Sequence, residues 1–218
     1  MAVRSAARAA ACFKPKTYRY VKRALDLGIS LLVAAVGAIP VAMTCIVIRL
    51  ESSGAPLLRL DRVGRDGALF GMFKLRTMYE DAEEHIESYL TPDQLAEWEA
   101  EHKLDDDPRI TKVGRFLRKT SLDEFPQFLN VIMGDMSIVG PRPVTVEELE
   151  RYGDDVDTVL SVRPGVTGYW QAFARNDATW ESGERQEMEM HYVLHITPAF
   201  DARIILKTFG AISGLTGK

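Results

Sequence analysis

Hydrophobic and polar positions divide this chain into one long charge-free segment and a series of shorter, mixed segments. Residues 27–48, LGISLLVAAVGAIPVAMTCIVI, carry no charge. Twenty-two residues of α-helix extend about 33 Å, close to the hydrocarbon thickness of a bilayer. A secretory signal peptide usually has a shorter apolar region of about 7–15 residues, and a buried core helix usually keeps a polar face. Length and pattern therefore favour a membrane helix over both alternatives.

Pro40 lies inside this apolar segment, three residues after Gly37. Proline removes one helical hydrogen bond and kinks the helix axis. The positive-inside rule would keep both ends of the segment cytoplasmic, because basic residues flank it on either side: Lys22 and Arg23 before, and Arg49, Arg59, Arg62 and Arg65 after. A hairpin that enters and leaves one leaflet satisfies this rule. We therefore expect a re-entrant helix over residues 22–50, kinked near Pro40, with a tilted single span as the alternative.

The remaining pattern predicts a mostly helical α/β domain with a few short strands. Residues 52–78 contain four glycines and an RDG turn signal, which indicates strands and turns. Residues 80–106 have the composition of an acidic helical insert, with Leu95 and Trp98 facing inward. Near the C-terminus, FDARIILKTFGAIS has apolar residues at helical spacing. Such a helix suits either a core or a membrane surface.

Charge is distributed unevenly along the chain, although the net charge is only −4. The twelve acids between Tyr79 and Asp107 contrast with an N-terminal arm, residues 1–21, that has no acid at all. Before Asp26 there are seven basic residues: Arg4, Arg8, Lys14, Lys16, Arg19, Lys22 and Arg23. Basic residues near a membrane are attracted to anionic lipid by about 1 kcal/mol each. We therefore expect membrane lipid as a partner, and no nucleic acid.

Cys12 and Cys45 are the two cysteines, and they form no disulfide framework or CxxC pattern. A chain without a stapling pattern fits the cytosol. A further candidate site is the pair His191 and His195, four residues apart. No glutamate stands beside the first histidine as in HExxH, so we do not expect a metal site there.

The segment SLDEFPQ, residues 121–127, is the main candidate for chemistry. Ser121 to Glu124 matches the S-x-x-E capping box, and this predicts that a helix begins here. Acids in the first helical turn also suit the helix dipole, and Pro126 is tolerated there. On this interpretation Asp123 and Glu124 only begin a helix.

A functional interpretation uses the same geometry. A helix N-terminus binds phosphate well, and cations surround this one: Arg115, Arg118 and Lys119 before it, and Arg142 in a rigid Pro-Arg-Pro after it. One carboxylate could attack a bound phosphate and form an aspartyl-phosphate, while the other could hold Mg²⁺. The residues alone leave both interpretations open.

Longer motifs carry a family resemblance. They cover most of residues 22–195: KRALDLGIS, the apolar run with Pro40, RVGRDGALFGMFKLRTM, DDDPRITKVGRFLRKTSLDEFPQFLNVIMGDMSIVGPRP and VRPGVTGYWQAFARND. In these motifs the chain resembles the bacterial sugar transferases, also called monotopic phosphoglycosyl transferases. It resembles their minimal form, since larger members carry four further N-terminal membrane helices. The acidic insert is similar to that of members that initiate exopolysaccharide and capsule assembly.

The resemblance implies a reaction and a set of roles. Such enzymes move a sugar-1-phosphate from a UDP-sugar to a polyprenol phosphate, releasing UMP, by a covalent ping-pong route with Mg²⁺. Carried over by motif, Asp123 of SLDE would be the nucleophile and Glu124 the Mg²⁺ ligand. The residues implied to bind phosphate or nucleotide are Arg118, Arg142 of PRP, Lys74 of FKLRTM and Arg175 of ARND.

Two positions depart from the family pattern. The family breaks its re-entrant helix at a Ser-Pro pair, and this chain has Ile39-Pro40. The family usually has Asp near the C-terminus before x-x-Tyr-Val, and this chain has Glu189 in EMHYV. The resemblance implies that Glu189, a longer carboxylate, serves in substrate binding at this position.

The resemblance also implies an architecture and a location. We expect an N-terminal re-entrant membrane hairpin and a cytoplasmic catalytic domain, residues 51–218, with amphipathic helices at the inner-membrane surface of a bacterium. Two alternative functions remain: a membrane-anchored phosphohydrolase with the same Asp nucleophile, and a membrane-tethered scaffold that uses the acidic helix. The sequence leaves open the sugar, the pathway and the oligomeric state, a homodimer included.

Overall fold

The first element of the structure is one long helix. A computed structural model of the chain describes residues 16–82, 84–101, 104, 106–174, 178 and 180–213, with the backbone alone at 16, 17, 99–101 and 211–213. Helix α1 spans Lys16–Glu51, 36 residues or about 54 Å. It is long and apolar enough to cross a bilayer, and only 11% of its most apolar window is buried by protein. Its apolar side chains therefore need another environment, as a membrane helix does.

Helix α1 continues through Pro40. A proline removes the hydrogen bond of its own missing N–H, but the neighbouring turns keep theirs. In addition, Thr44 Oγ1 donates to the Pro40 carbonyl oxygen over 2.9 Å. The structure therefore has one continuous helix where we expected two joined by a break, and the re-entrant path stays a prediction.

Both ends of α1 contact the same globular domain. Near the start, Asp26 is buried and accepts hydrogen bonds from Ser137 Oγ (2.8 Å) and Ile138 N (3.1 Å). At the other end, Glu51 accepts from Val113 N, and Ile48 belongs to a small buried cluster with two residues of the domain. The helix thus lies along the domain, although its middle is largely exposed.

An antiparallel hairpin follows α1, as the glycine-rich pattern predicted. Strand β1 (Leu57–Val63) pairs with β2 (Leu69–Leu75), and a 3₁₀ turn, Arg65–Gly67, joins them. The acidic insert is helical, but as two helices, α2 (Ile86–Tyr89) and α3 (Pro92–Glu101). Pro92 explains the division, because the residue before a proline is pushed out of helical geometry.

Short elements build the rest of the domain, so the expected mostly helical α/β class with few strands is confirmed among the described residues. In chain order they are α4 (Lys112–Thr120), a 3₁₀ turn (Leu122–Glu124), α5 (Gln127–Met133), β3 (Ser137–Val139), α6 (Val146–Leu149), a 3₁₀ segment (Glu150–Asp155), α7 (Val156–Val159), β4 (Gly165–Thr167), α8 (Tyr169–Phe173), α9 (Glu184–Leu194) and α10 (Pro198–Ser213). Strands β3 and β4 are parallel.

Three buried clusters hold these elements together. The largest joins β2, α5, β3 and α8 to α9 and α10, with Tyr192 and Ile204 fully buried. A second surrounds Tyr152 and Trp180. The third fixes α4 and β2 to α1 through Ile48, Leu75 and Leu117. The helix predicted near the C-terminus is α10, which buries Ile204 and exposes Leu206 and Phe209, and its amphipathic character stays a prediction. Its placement at a membrane surface stays a prediction.

Candidate active site

The carboxylate dyad lies in the 3₁₀ turn between α4 and α5. Ser121 has left-handed backbone angles (φ 56°, ψ 21°), and its N–H ends α4 by donating to the Arg118 carbonyl oxygen over 3.1 Å. Its side chain makes no capping hydrogen bond to the turn that follows. The predicted capping box at residues 121–124 is therefore wrong. Helix α4 ends at Thr120, Ser121 follows it in the left-handed conformation, and α5 begins only at Gln127.

Asp123 is only 3% exposed, and a lysine on the neighbouring strand neutralises it. Lys74 Nζ of β2 lies 3.0 Å from Asp123 Oδ2. The structure therefore brings together two motifs that the sequence places 49 residues apart. An isolated buried carboxylate would be costly, so the ammonium group is needed here even before any substrate binds. Glu124, the second member of the dyad, is half-buried.

Arg118 lies on α4, one turn before the dyad. Its Nε donates to Thr77 Oγ1 over 3.0 Å, and Thr77 is the second residue after the end of β2. The two segments approach closely, because a Cβ on Gly114 of α4 would lie only 1.9 Å from the Thr77 carbonyl oxygen. Glycine at this position thus allows α4 to lie against the end of β2, on which Lys74 is placed. Arg118 and Lys74 reach the dyad's surroundings from two elements in direct contact.

Arg142 is held by a buried carboxylate. Its backbone N donates to Glu189 Oε1 over 3.2 Å, and its guanidinium lies 5.7 Å from the Trp170 ring centre. Glu189 of α9 is fully buried, and burial raises its pKa to about 7. The hydrogen bond from Arg142 N and the charges of Arg185 and Arg142 oppose this shift. The structure thus favours a positioning role for Glu189, and its predicted contact with substrate stays a prediction.

Arg185 was not among the residues that the sequence pointed to. It is 7% exposed, and its guanidinium lies between the rings of Trp170 (4.1 Å) and Trp180 (3.8 Å). Burial, together with the neighbouring charge of Arg142, lowers its pKa to about 10. The sequence did contain a signal that could have pointed to Arg185. It lies four residues before Glu189 on one helix, so the two share a face.

The predicted residues divide into two groups and one outlier. Asp123, Glu124, Lys74 and Arg118 lie around the 3₁₀ turn, whereas Arg142 is fixed by Glu189 and Trp170. Arg175, expected to bind phosphate or nucleotide, lies outside the described residues. The roles assigned to all of these side chains stay predictions.

Mg²⁺ fits the dyad only as an ion shared with a substrate. Among the described residues, no group of three or more His, Cys, Asp or Glu side chains could hold a metal. Mg²⁺ is commonly held by one or two carboxylates together with water and substrate phosphates, and Glu124 beside Asp123 supplies such ligands. The arrangement therefore suits an ion that binds together with a diphosphate.

An apolar groove of about 440 Å³ opens between α1 and the dyad's turn. Leu122 and Phe125, the residues on either side of the dyad, line it together with the membrane helix. Gly37 sets its width, since a Cβ there would lie 2.8 Å from Phe125 Cε1. Pro40 is also part of its wall. An apolar chain in this groove would run alongside α1 and end next to Asp123.

A buried carboxylate–lysine pair beside an apolar groove on a membrane-length helix is the layout of a membrane-associated enzyme. Comparison with known proteins gives the family. The family model for "Bacterial sugar transferase" matches residues 17–214, and the chain belongs to this family.

Three relatives illustrate the similarity. The "Undecaprenyl-phosphate galactose phosphotransferase" of Salmonella typhimurium is 43% identical over 196 residues, 88% of this chain and 40% of that protein. The "UDP-galactose-lipid carrier transferase" of Erwinia amylovora is 42% identical over 200 residues, 89% of this chain and 40% of that protein. The "Exopolysaccharide production protein ExoY" of Sinorhizobium fredii is 39% identical over 194 residues, 88% of this chain and 84% of that protein. The chain thus spans less than half the length of the first two relatives.

Proposed function

We propose that this chain transfers a sugar-1-phosphate from a UDP-sugar to undecaprenyl phosphate, giving undecaprenyl-diphosphate-sugar and UMP. One observation carries the proposal: Asp123 faces Lys74, while its sequence neighbours Leu122 and Phe125 line the apolar groove on α1. An enzyme that joins a soluble nucleotide sugar to a lipid phosphate needs a charged and an apolar surface at one point. The names of the relatives support a role in the first membrane step of polysaccharide assembly.

The first half-reaction uses Asp123 as nucleophile. A carboxylate oxygen attacks the sugar-side phosphorus of the UDP-sugar, and the bond from this phosphorus to the bridging oxygen breaks. UMP leaves with that oxygen, and an aspartyl-phosphosugar remains. Lys74 lies 3.0 Å from the attacking carboxylate, so its ammonium can shift towards the phosphate oxygens as the carboxylate loses its charge. Arg118 and Arg142 supply further cations for the diphosphate.

The second half-reaction consumes the covalent intermediate. A phosphate oxygen of the lipid attacks the same phosphorus, and the bond to Asp123 breaks, so that the carboxylate is regenerated. The lipid's isoprenoid chain would lie in the apolar groove, with its phosphate next to Leu122 and Phe125. Burial of Asp123 keeps bulk water away from the intermediate, which favours the lipid phosphate over water as acceptor.

Glu124 would hold Mg²⁺ together with the phosphate oxygens of the donor. Bound there, the ion would neutralise phosphate charge in the transition state. Glu124 stands next to the nucleophile in the same 3₁₀ turn, so its carboxylate and Asp123 can reach the same diphosphate.

We also propose that α1 is re-entrant, with both ends on the cytoplasmic side of the inner membrane. The contacts of Asp26 and Glu51 support this topology, because they hold residues on both sides of the apolar run against the same domain. Cysteine labelling at residues 20 and 57, on either side of the apolar run, tests it. Equal labelling from the cytoplasmic side is expected, and opposite sides would mean a span.

A panel of UDP-sugars with undecaprenyl phosphate and Mg²⁺ tests the function, with UMP release as the readout. Galactose is the first sugar to supply, because the names of two relatives include it. We expect UMP to appear in proportion to lipid-linked product. No UMP from any sugar would refute the transferase. UMP release with free sugar phosphate, and no need for lipid, would instead indicate the phosphohydrolase.

A further inference from the structure

A second cavity, of about 120 Å³, lies at the N-terminal end of α1. We call it the basic cavity, because five cations line it: Arg19, Lys22, Arg23, Arg65 and Arg163. Arg65 lies in the turn of the β1–β2 hairpin, whereas Lys74 lies at the opposite end of β2. A strand of seven residues spans about 20 Å, so the basic cavity is separate from the dyad.

Carboxylates compensate these cations only in part. Asp201 accepts from Lys22 Nζ (2.7 Å), and Asp66 pairs with Arg65 over 3.0 Å but is itself 75% exposed. Asp26, the one acid that lines the cavity in the described part of the chain, is already bonded to Ser137 and Ile138. Among the residues that the structure describes, five cations thus face three carboxylates, and positive charge remains.

The pKa of Arg163 reflects this excess of positive charge. Burial lowers its pKa first, and the charges of Arg65, Arg23 and Arg19 lower it further, against Asp26 alone among acids. Like charges held this close disfavour one another, and an anion between them would relieve the repulsion.

Helix capping accounts for only part of the cluster. Arg23 donates to the carbonyl oxygens of Val131 (2.6 Å) and Ile132 (3.1 Å), and Arg163 Nε donates to that of Gly134 (2.6 Å). These bonds satisfy the C-terminal end of α5, a common use of arginine. The bond from Arg163 uses its Nε, and these capping bonds do not explain why Arg19 and Arg65 also face this cavity.

The position along α1 indicates the ligand. The cavity residue Asp26 is followed directly by the charge-free run, and the side chains of Leu25 and Ile29 are exposed. The cations therefore lie at the level where α1 changes from polar to apolar, which in a bilayer is the headgroup layer.

We propose that the basic cavity binds the phosphate of an anionic membrane lipid headgroup and so fixes the N-terminal end of α1 at the membrane surface. The ligand class is a phosphodiester anion, and bilayer phospholipid is its source. This inference rests on the proposed membrane position of α1, but not on sugar transfer.

Lipid retention tests the proposal. The full chain is placed in nanodiscs of neutral phosphatidylcholine, with or without phosphatidylglycerol. It is then released from the nanodiscs in a native mass spectrometer, and the lipids that stay bound to it are identified. The test variant is Arg19→Gln/Arg65→Gln, which avoids the arginines that cap α5. The matched control, Lys112→Gln/Arg203→Gln, removes two exposed cations elsewhere. We expect the wild type and the control to retain phosphatidylglycerol in preference to phosphatidylcholine. In the test variant this preference should be about tenfold smaller.

Two further measurements identify the source of the bound phosphate and check that the test variant folds. Inorganic phosphate and glycerol 3-phosphate are added to the detergent-solubilised chain while its Tm is measured. Stabilisation of the wild type by these soluble anions, without phosphatidylglycerol selectivity in nanodiscs, would overturn the lipid assignment. Equal Tm values for wild type and test variant in neutral lipid show that the variant folds, and Arg65→Gln alone provides a milder version.

The outcomes separate this inference from the proposed function. Equal phosphatidylglycerol retention by wild type and test variant overturns the inference, whether or not the chain releases UMP. A chain that selects phosphatidylglycerol through Arg19 and Arg65 but transfers no sugar supports the inference and refutes the transferase.

Discussion

The Lys74 ammonium lies 3.0 Å from an Asp123 carboxylate oxygen, and Asp123 is almost fully buried. A strand and a 3₁₀ turn thus meet to form one charge pair. The pair has a structural role and, in the proposed reaction, a chemical one. Its two roles can be measured separately.

Lys74→Met should destabilise the fold by about 1–3 kcal/mol, because it leaves Asp123 buried without its partner. The estimate lies below that for a fully buried pair, since the Lys74 side chain is 24% exposed. Urea denaturation in detergent measures the change, with Lys112→Met as the control. Adding Asp123→Asn should recover most of the loss. If the two substitutions are simply additive, the pair is not coupled.

Asp123→Asn should prevent the covalent intermediate, because an amide cannot attack phosphorus as the carboxylate does. Incubation with UDP-sugar and Mg²⁺ without lipid, followed by intact-protein mass spectrometry, should show a sugar-phosphate adduct on the wild type. Turnover of the variant should fall by at least about 10³-fold. Glu124→Gln should still form the adduct, but more slowly. An adduct on Asp123→Asn would place the nucleophile elsewhere.

Gly37→Val should close the apolar groove, because even a Cβ there meets Phe125 at 2.8 Å. We expect kcat/KM for undecaprenyl phosphate to fall about tenfold, comparable to removing one or two methylene contacts from a hydrophobic site. Adduct formation from UDP-sugar should be unchanged, since it needs no lipid. Gly28→Val is the matched control, because nothing lies within 4 Å of its Cβ position. Equal losses in both variants would mean that the groove binds no acceptor.

Glu189→Gln should change how stability depends on pH. The folded-state pKa of Glu189 is raised to about 7 from an ordinary value near 4.5, so folding favours its protonated form. This contribution is complete below about pH 4.5 and is lost as pH rises through about 7, with a limit of about 3 kcal/mol. The free energy of unfolding of the wild type, relative to Glu189→Gln, should therefore fall across this window. Glu187→Gln, at an exposed position, is the control. If the free energies of unfolding of the wild type and Glu189→Gln depend on pH in the same way, Glu189 does not have the raised pKa.

Local sequence determined the elements that depend on local pattern. A charge-free run longer than 20 residues can only be accommodated as a membrane or fully buried helix, and α1 is that helix. Glycines and the RDG turn signal specified the β1–β2 hairpin, and the spacing of apolar residues specified α10. The motifs around Asp123 also identified the family that the comparison later confirmed.

The local sequence pattern gave a wrong prediction at residues 121–124, which lie between the end of α4 and the start of α5. Ser121 and Glu124 satisfy a capping box in sequence, but Ser121 ends α4 in a left-handed conformation, and its side chain caps nothing. Thr145 and Glu148 form a true capping box further along the chain. The pattern S-x-x-E does not record which helix comes immediately before it, so the sequence could not decide between these two outcomes.

The tertiary structure alone decided which distant side chains became neighbours. Lys74 meets Asp123 only because β2 lies against the turn after α4, and Arg185 lies between Trp170 and Trp180 only because α8 and α9 pack together. The sequence by itself determined α1, the hairpin and the reactive motif, because each depends on residues within a few turns. Charge pairs, the apolar groove and the basic cavity depend on how elements pack, and packing is a property of the whole domain.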